Sequence, residues 1–259
     1  MERNNSSSLR RGIALLDAVA TATPSGGATL TELAVAVGVH KSSALRLLAP
    51  LAEAGLVRVE QGRHLLGSRT AQLGRGYLDS VDLRALAQPA LRRLVDATGE
   101  SVHLVLPDLP DMVYIDKIDG PGRVRMNSSV GSRQPAHSTG VGRAYLAFAD
   151  PRDVETVVAH GLAARTERTV TGPGAFRAGL SAVRERGYAV DDIENEPDIR
   201  CVAAPVFDHD GAVVAAVSVA GLATRVTPDR FERLGEQVVA AGRAVSEQLG
   251  APRRREEPR

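Results

Sequence analysis

The sequence is poor in cysteine and in aromatic residues. Its 259 residues include one Cys, no Trp, four Phe and four Tyr. A single Cys excludes a disulfide framework and a zinc or redox site of the CxxC type. With so few rings, the core has to be built from Ala, Val and Leu. Apolar residues make up 43% and charged residues 24%, as in ordinary globular proteins, so we expect folded domains rather than disorder.

Long apolar runs are also missing. The longest, such as residues 212–220, fall far short of the roughly 20 residues that a membrane helix needs. Residues 1–10 are polar and lack the apolar core of a signal peptide. We therefore expect a cytoplasmic bacterial protein that has no membrane partner.

The charge is small overall and unevenly distributed. The net charge is +1, but residues 1–80 carry nine Lys and Arg against six Asp and Glu, which leaves the rest slightly acidic. The length fits one large domain or two ordinary ones, at roughly 100–200 residues each. A basic N-terminal part and a slightly acidic C-terminal part favour two domains with different partners, although three excess charges are a weak signal.

Three short amphipathic segments near the start predict three helices, over about 9–22, 29–38 and 40–54. The apolar face of the first is formed by Leu9, Ile13, Leu16 and Ala20. Two short runs over 56–67 then predict a hairpin. Three helices followed by a hairpin are typical of a winged helix-turn-helix. Pro50 lies inside the third helix and predicts a kink or a restart there.

The third predicted helix begins with polar and basic side chains, which are His40, Lys41, Ser42, Ser43 and Arg46. Arg can make a bidentate contact to guanine, and Ser and Lys can contact bases or phosphates. On the hairpin, Arg58, Arg63 and His64 are candidates to hold the DNA backbone. The alternative is a packing unit with a solvated polar face, and the added hairpin favours DNA binding.

The remainder alternates strands and helices, which predicts an α+β domain around an antiparallel sheet. Strands are predicted over 102–106, 112–118, 124–128, 202–207 and 213–219, and helices over 142–149, 151–159, 175–186 and 228–249. Two connecting helices should meet at Pro89. The predicted boundaries are a winged domain over 1–78, linker helices over 79–97, the α+β domain over 98–250 and a charged tail over 251–259.

Several polar residues of the second domain stand in apolar surroundings. Ser218 lies in an otherwise apolar strand, and Cys201 and Asp191 flank other predicted strands. A buried polar group needs a hydrogen-bond partner, which is either backbone or a small ligand. The sequence shows no HxxxH or HxH spacing, no GxSxG elbow and no P-loop. We therefore predict no metal, no cofactor and no catalytic residues. The rival interpretations are a hydrolase that uses Cys201 or Ser138, and a winged-helix module that binds a protein.

Several blocks together resemble the IclR family of bacterial transcription regulators. The blocks are HKSSALRLL (40–48), GESVHL (99–104), AHSTGVGRAYLA (136–147), GYAVDD (187–192), CVAAPVF (201–207) and AVSVAG (216–221). The resemblance implies an N-terminal winged helix, a linker helix and a C-terminal GAF-like effector domain. It also implies a DNA-binding repressor, not an enzyme, that forms dimers or tetramers on palindromic operators.

The resemblance further implies a pocket for a small metabolite, a carboxylate or an aromatic acid. The family's ligand-contacting loop falls on Gly140 and Val141. Its polar pocket residues fall on Asp191, Cys201 and Ser218. Apolar lining is expected from Leu104, Tyr114, Ile118 and Met126. Family members often have a second Ser where this chain has Ala220, which predicts a less polar ligand or a shifted pose.

Overall fold

The structure is a computed structural model that describes residues 7–78, 82–122 and 128–252. The chain divides into two compact units, Met1–Val81 and Asp82–Arg259. Two predicted features lie outside the described residues. They are the predicted strand over 124–128, apart from residue 128, and the arginines of the predicted tail. Within the described ranges, no helix combines the length and the apolar character needed to cross a bilayer.

The first unit is built from four helices and a small antiparallel sheet. Its elements are α1 (Ser7–Ala22), β1 (Ala28–Thr29), α2 (Leu30–Val37), α3 (Lys41–Glu53), β2 (Val57–Glu60), β3 (Arg63–Leu66) and α4 (Ser68–Leu78). The strands lie in the order β1-β3-β2. The predicted three helices and hairpin are confirmed, whereas β1, which extends the hairpin into a three-stranded wing, was not predicted.

Local chemistry fixes the ends of α2. The Thr29 hydroxyl accepts a hydrogen bond from the Glu32 amide, and the Glu32 carboxylate accepts one from the Thr29 amide at 2.7 Å. This capping box satisfies two amides that a helix start otherwise leaves unpaired. Gly38 ends the helix in the left-handed conformation, at φ 67°. The turn between α2 and α3 is therefore encoded locally.

The inward face of α1 differs from the predicted one. Leu15 and Val19 are fully buried, whereas Leu9 and Ile13 are 62% and 51% exposed. The predicted stripe was wrong at Leu9 and Ile13, whereas Leu16 is half-buried and packs against the core. Leu15 and Val19 share one apolar core with Ala44 of α3.

In its described residues, the second unit holds a six-stranded antiparallel sheet and five α-helices. Its elements are α5 (Leu83–Thr98), β4 (Ser101–Asp108), β5 (Asp111–Ile118), β6 (Arg133–Pro135), α6 (Gly140–Leu146), α7 (Pro151–His160), α8 (Pro173–Arg186), β7 (Ala189–Asp192), β8 (Ile199–Phe207), β9 (Val213–Leu222) and α9 (Phe231–Gln248). The strand order is β6-β5-β4-β9-β8-β7. The predicted α+β fold with an antiparallel sheet is confirmed.

Neither of the two internal prolines divides its helix. Pro50 lies within α3, and Pro89 lies within α5, which the sequence had predicted as two helices. A proline removes one helical hydrogen bond, but packing can outweigh that loss. In α5, Ala87, Ala90 and Leu91 next to the proline are all buried, so the apolar contacts hold the helix together across it.

The two faces of the large sheet have different neighbours. On one face, Val105, Ala203 and Ala216 pack in a core with α6 and α8. On the other face, Ala204 lies against α9, where a Cβ on Gly242 would be 3.6 Å from its own Cβ. Leu104 precedes Val105 by one residue, so it points to the opposite face and shares the face of Ala204.

A bulge in β5 changes which residues face the same way. Tyr114 is paired with Val105, and Asp116 is paired with Leu104, which leaves Ile115 as the extra residue. In a regular strand Tyr114 and Asp116 would share a face. Because one extra residue lies between them, Tyr114 faces the core of α6 and Asp116 faces α5.

Candidate functional site

The start of α3 carries the residues predicted to read DNA. His40 is the N-cap, and its Nδ1 lies 2.9 Å from the hydroxyl of Ser42. Lys41, Ser42 and Arg46 are exposed and Ser43 is half-buried. Ala44 and Leu48 hold the opposite face of the helix in the core, at 0% and 2% exposure. The helix therefore presents a polar face at its first two turns while it is anchored by its apolar face.

Two cations on this face have no partner in the described parts of the chain. Neither Lys41 nor Arg46 forms an ion pair or a side-chain hydrogen bond there. A long cationic side chain without a local partner keeps its donors available for a phosphate or a base edge.

The two wing arginines that were predicted to contact the DNA backbone are partly engaged within the wing. The guanidinium group of Arg63 donates to the carbonyl oxygens of Gly26 and Gly27, and that of Arg58 donates to the carbonyl of Leu66 and pairs with Glu60. Both arginines remain about half exposed, at 43% and 47% of their side chains. They stabilise the wing and still offer charge on its surface.

His64 does not face solvent. Its ring is 8% exposed, and its Nδ1 lies 3.3 Å from the carbonyl oxygen of Ala28 in β1. The prediction that His64 holds a phosphate is wrong, because strand alternation and the unpredicted β1 turn its ring into the wing. Its neighbour Arg63 is the residue that points outward.

A closed polar pocket lies in the second unit. Its walls are His103, Tyr114, Ser128, Gln134, Thr139, Gly140, Val141, Asp191, Asn195, Glu196, Ile199, Cys201, Ser218 and Ala220. The free space inside is about 30 Å³, the volume that about one water molecule occupies. Of the predicted pocket residues, the structure brings together Gly140, Val141, Asp191, Cys201, Ser218 and Tyr114.

A buried histidine joins two hydroxyl groups across this pocket. The Nε2 atom of His103 lies 2.9 Å from the Ser128 hydroxyl, and its Nδ1 atom lies 3.4 Å from the Ser218 hydroxyl. The ring packs edge-on against Tyr114, with centroids 5.1 Å apart. Burial, assisted by the charge of Lys117, lowers the pKa of His103 to about 4. The ring is therefore neutral at pH 7, with one nitrogen as donor and the other as acceptor.

Asp191 is a buried carboxylate in the pocket wall. One of its oxygens accepts hydrogen bonds from the amides of Glu194 at 2.7 Å and Asn195 at 3.3 Å. Burial raises its pKa to about 7, although these amides and the charge of Arg143 lower it in part. Asp191 therefore changes its charge near neutral pH, unlike an exposed aspartate.

Close packing surrounds Cys201. A Cβ on Gly140 would lie 3.1 Å from the Cys201 sulfur, so any larger residue at position 140 would press on the thiol. Burial raises the pKa of Cys201 to about 12, with a further increase from Asp191. A nucleophilic cysteine needs a lowered pKa, so the surroundings of Cys201 do not activate its thiol for attack.

The suggested serine nucleophile is unsuitable as well. Ser138 is fully buried, and its hydroxyl donates to Asn195 at 2.9 Å. The adjacent His137 directs its Nε2 to the carbonyl oxygen of Ala163 at 2.9 Å. Both side chains are therefore bound within the fold, and among the described residues no base is directed at the serine hydroxyl.

Two predicted lining residues lie on the wrong side of the sheet. Leu104 shares the face that packs on α9, and Ile118 is paired with Val102, on that same face. Tyr114 and Ile118 would share a face in a regular strand, because they are four residues apart. The bulge at Ile115 breaks that rule. The remaining predicted lining residue, Met126, lies outside the described residues.

Several polar residues of the pocket wall were not among the predicted ligand-contacting residues, namely His103, Ser128, Gln134, Asn195 and Glu196. One signal could have identified His103, since it is a polar residue inside an apolar strand, as Ser218 is. The two are direct neighbours in the sheet. The others follow or precede loops, where the sequence shows no periodicity that predicts their direction.

An exposed polar helix on a winged unit, together with a closed polar pocket in an α+β unit, defines a DNA-binding regulator that responds to a ligand. The IclR helix-turn-helix domain model matches residues 8–61, and the model for the C-terminal region of the bacterial transcriptional regulator IclR matches residues 75–247. The chain belongs to the IclR family of transcriptional regulators.

Individual relatives agree with this assignment. The transcriptional repressor IclR of Escherichia coli strain K12 is 34% identical over 251 residues, covering 95% of this chain and 91% of the repressor. The regulator KdgR of the same strain is 35% identical over 225 residues, covering 85% of each chain.

Solved structures of similar proteins have the same architecture. Pseudomonas aeruginosa HmgR superposes with a TM-score of 0.82 at 26% identity, covering 95% of this chain and 99% of that one. The Agobacterium tumefaciens repressor BlcR gives 0.79 at 25% identity, covering 95% and 98%. The chain is thus a DNA-binding regulator with a C-terminal effector-binding domain, and its relatives are regulators rather than enzymes.

Proposed function

We propose that the protein is a repressor whose recognition helix is α3. Lys41, Ser42, Ser43 and Arg46 read base edges in the major groove, and His40 fixes the start of the helix. This assignment is supported by their exposure and by the unpaired cations Lys41 and Arg46. Arg58 and Arg63 on the wing contact phosphates with the donors that the wing itself does not use.

The operator is palindromic, and the protein binds it as a homodimer or a pair of dimers. One short recognition helix reads only a few base pairs, so specificity requires two copies on two half-sites. Twofold symmetry of the protein then requires twofold symmetry of the DNA. Because its target is DNA, we place the protein in the cytoplasm of a bacterium.

The effector is a small metabolite, a carboxylate or an aromatic acid, that binds in the pocket of the second unit. The groups that contact it are the loop at Gly140 and Val141, the polar side chains of Asp191, Cys201 and Ser218, and the ring of Tyr114. The pocket has room for about one water molecule, so the walls move outward when the effector enters.

A carboxylate effector binds with Asp191 protonated. The described lining includes the acids Asp191 and Glu196 and no Lys or Arg. An ionised effector beside an ionised Asp191 would be repelled. With a pKa of about 7, Asp191 can take up a proton at little cost and donate it in a hydrogen bond to the effector.

The effector controls DNA binding only if it binds one arrangement of the dimer more tightly than the other. Helix α5 directly follows the DNA-binding unit in the chain and packs on the sheet that forms the pocket. We assign α5 as the element that changes the spacing of the two winged units.

The observation that carries this function is the exposed polar face at the start of α3, where Lys41 and Arg46 have no ion-pair partner among the described residues. The test is an electrophoretic mobility shift with the full chain and DNA from upstream of its own gene, in competition with random duplex. We expect a preferred fragment and an affinity that falls steeply as salt rises, because phosphate contacts release counterions. Equal affinity for every fragment, with and without a metabolite extract, would reject the proposal.

A further inference from the structure

A second cavity, of about 560 Å³, lies in the effector-binding unit and shares no wall residue with the effector pocket. It is formed by the end of α8, by β8 and by the last turns of α9. Its volume is within the range of small-molecule sites, roughly 300–1,000 Å³, whereas the effector pocket is closed around about 30 Å³. We call this cavity the α8–α9 groove.

The floor of the α8–α9 groove is apolar and partly aromatic. The rings of Phe148 and Phe207 meet edge-to-face, with centroids 5.4 Å apart and an interplanar angle of 88°. Ala204 and Pro205 of β8 lie beside them and are buried, and Val239 of α9 is 36% exposed on the wall. A flat apolar ring fits such a floor, since aromatic pairs favour a further ring in contact with an edge or a face.

The rim of the groove carries more positive than negative charge. Arg184, Arg186 and Arg243 line it together with Glu185 and Glu247. Arg243 pairs with Glu247 at 3.2 Å. Arg184 and Arg186 each donate one Nε hydrogen bond to a backbone carbonyl, and neither has a carboxylate partner in the described parts of the chain.

The position of these two arginines is only partly explained by helix stability. Both lie in the last turn of α8, where a cation interacts favourably with the helix dipole. That interaction does not require the guanidinium group to lie against an apolar cavity. The guanidinium group of Arg186 lies over the ring of Tyr188, 5.0 Å from its centroid, and partial burial lowers the pKa of Arg186.

We propose that the α8–α9 groove is a second small-molecule site, which binds an aromatic carboxylate. The ring lies on Phe148 and Phe207, and the carboxylate pairs with the guanidinium groups of Arg184 and Arg186. A planar guanidinium group matches a carboxylate in geometry and also stacks on rings, so both parts of such a ligand find a partner. The protein would then respond to two ligands, one at each cavity.

Indole-3-acetate is a suitable probe, because it is an aromatic carboxylate and the chain contains no Trp to mask its fluorescence. The full-length protein is titrated into the probe, and fluorescence anisotropy reports binding. The neutral analogue 3-(2-hydroxyethyl)indole tests the contribution of the carboxylate. We expect the acid to bind at least about tenfold more tightly than the alcohol, as a charge-assisted hydrogen bond implies.

Three variants locate the bound probe. Arg184→Gln with Arg186→Gln should weaken probe binding about tenfold, whereas Arg233→Gln, an exposed arginine of α9 outside the groove, should not change it. Ser218→Val in the effector pocket should also leave probe binding unchanged. Thermal melting of each variant verifies that it is folded.

Three results would overturn the proposal. The first is equal binding of the acid and the alcohol, and the second is loss of probe binding in Ser218→Val, which would place the probe in the effector pocket. The third is a change of assembly mass for the double arginine variant in sedimentation, which would show that a second copy of the chain occupies the groove. Unchanged operator binding in the double variant would leave the repressor function intact, so the two proposals fail separately.

Discussion

The buried carboxylate of Asp116 accepts a hydrogen bond from the Nε atom of Arg84, 3.3 Å away on α5. Gln88, one turn further along α5, donates to the other oxygen of the same carboxylate. Asp116 is 2% exposed, so its charge depends on these partners. Two residues earlier, on the opposite face of the bulged strand, Tyr114 lines the effector pocket. The strand β5 therefore touches both the pocket and the linker helix.

Replacing Asp116 by Asn should weaken communication between effector and operator. The amide keeps the shape of the carboxylate but loses the charge-assisted hydrogen bond from Arg84, so α5 is held less firmly on β5. We expect the effector to change operator affinity by a factor close to one in this variant. Coupling between two sites is typically worth about 1–3 kcal/mol in such proteins.

The measurement is operator affinity with and without an effector identified by a thermal-shift screen of small acids. Asp96→Asn, an exposed residue on the same helix, is the matched control. If the effector changes operator affinity as strongly in Asp116→Asn as in Asp96→Asn, then the contact between β5 and α5 does not transmit the signal from the pocket to the DNA-binding unit.

Replacing Arg46 by Ala should weaken operator binding by about 1–3 kcal/mol, the worth of a bidentate contact to guanine. The side chain is exposed and forms no ion pair or hydrogen bond with the described residues, so the loss arises at the DNA rather than in the fold. Footprint titrations on the operator measure the change. The control is Arg11→Ala on α1, which removes one positive charge from the same unit but leaves α3 unchanged. A footprint that is identical for Arg46→Ala and the parent would remove Arg46 from the base-reading set.

The elements near the DNA-reading helix could be predicted from the sequence because their signals are local. Thr29 with Glu32, and Gly38 at the end of the helix, each fix a backbone conformation within a few residues. The wing was predicted less well. His64 was misplaced because β1 pairs with β3 across more than 30 residues of sequence, and no local signal encodes that pairing.

The pocket could be predicted in part, where family blocks and buried polar residues coincide, as at Asp191 and Ser218. Leu104 was misplaced because its neighbour His103, not Leu104, pairs with Ser218 across the sheet. The error at Ile118 has a different cause. A bulge at Ile115 reverses the alternation of β5, and a single extra residue leaves no trace in an apolar pattern of eight residues. The polar network around His103 depends on which strands are neighbours, which is a property of the sheet rather than of any segment.

Replacing Ser218 by Val should abolish the response to the effector and leave operator binding without effector unchanged. Ser218 is 1% exposed and faces the pocket beside His103, so Val fills its space but removes the hydroxyl. Calorimetry with the effector from the same screen measures the loss. Ser181→Val, an exposed serine on α8, is the control. Normal effector affinity in Ser218→Val would show that the hydroxyl contacts only protein.

Stability should fall as pH rises from 5 to 8, through the ionisation of Asp191. Its pKa is about 7 in the folded protein, against an ordinary value of 3.8, so the folded state holds more protons than the unfolded chain in this range. When the pKa of a group is higher in the folded protein than in the unfolded chain, its contribution to the free energy of unfolding is largest below the unfolded pKa. That contribution is lost as pH rises through the folded-state pKa. The free energy of unfolding should fall by on the order of 2 kcal/mol between pH 5 and pH 8.

Replacing Asp191 by Asn isolates this contribution, because the Asn side-chain oxygen still accepts the amide hydrogen bonds from Glu194 and Asn195 but cannot ionise. Denaturant unfolding of the effector-binding unit at both pH values gives the comparison. The variant should match the parent at pH 5 and exceed it at pH 8, whereas the exposed Asp96→Asn should follow the parent at both. If the variant loses stability at pH 8 as steeply as the parent, then another group is responsible, and the carboxylate of Asp191 is already ionised at neutral pH.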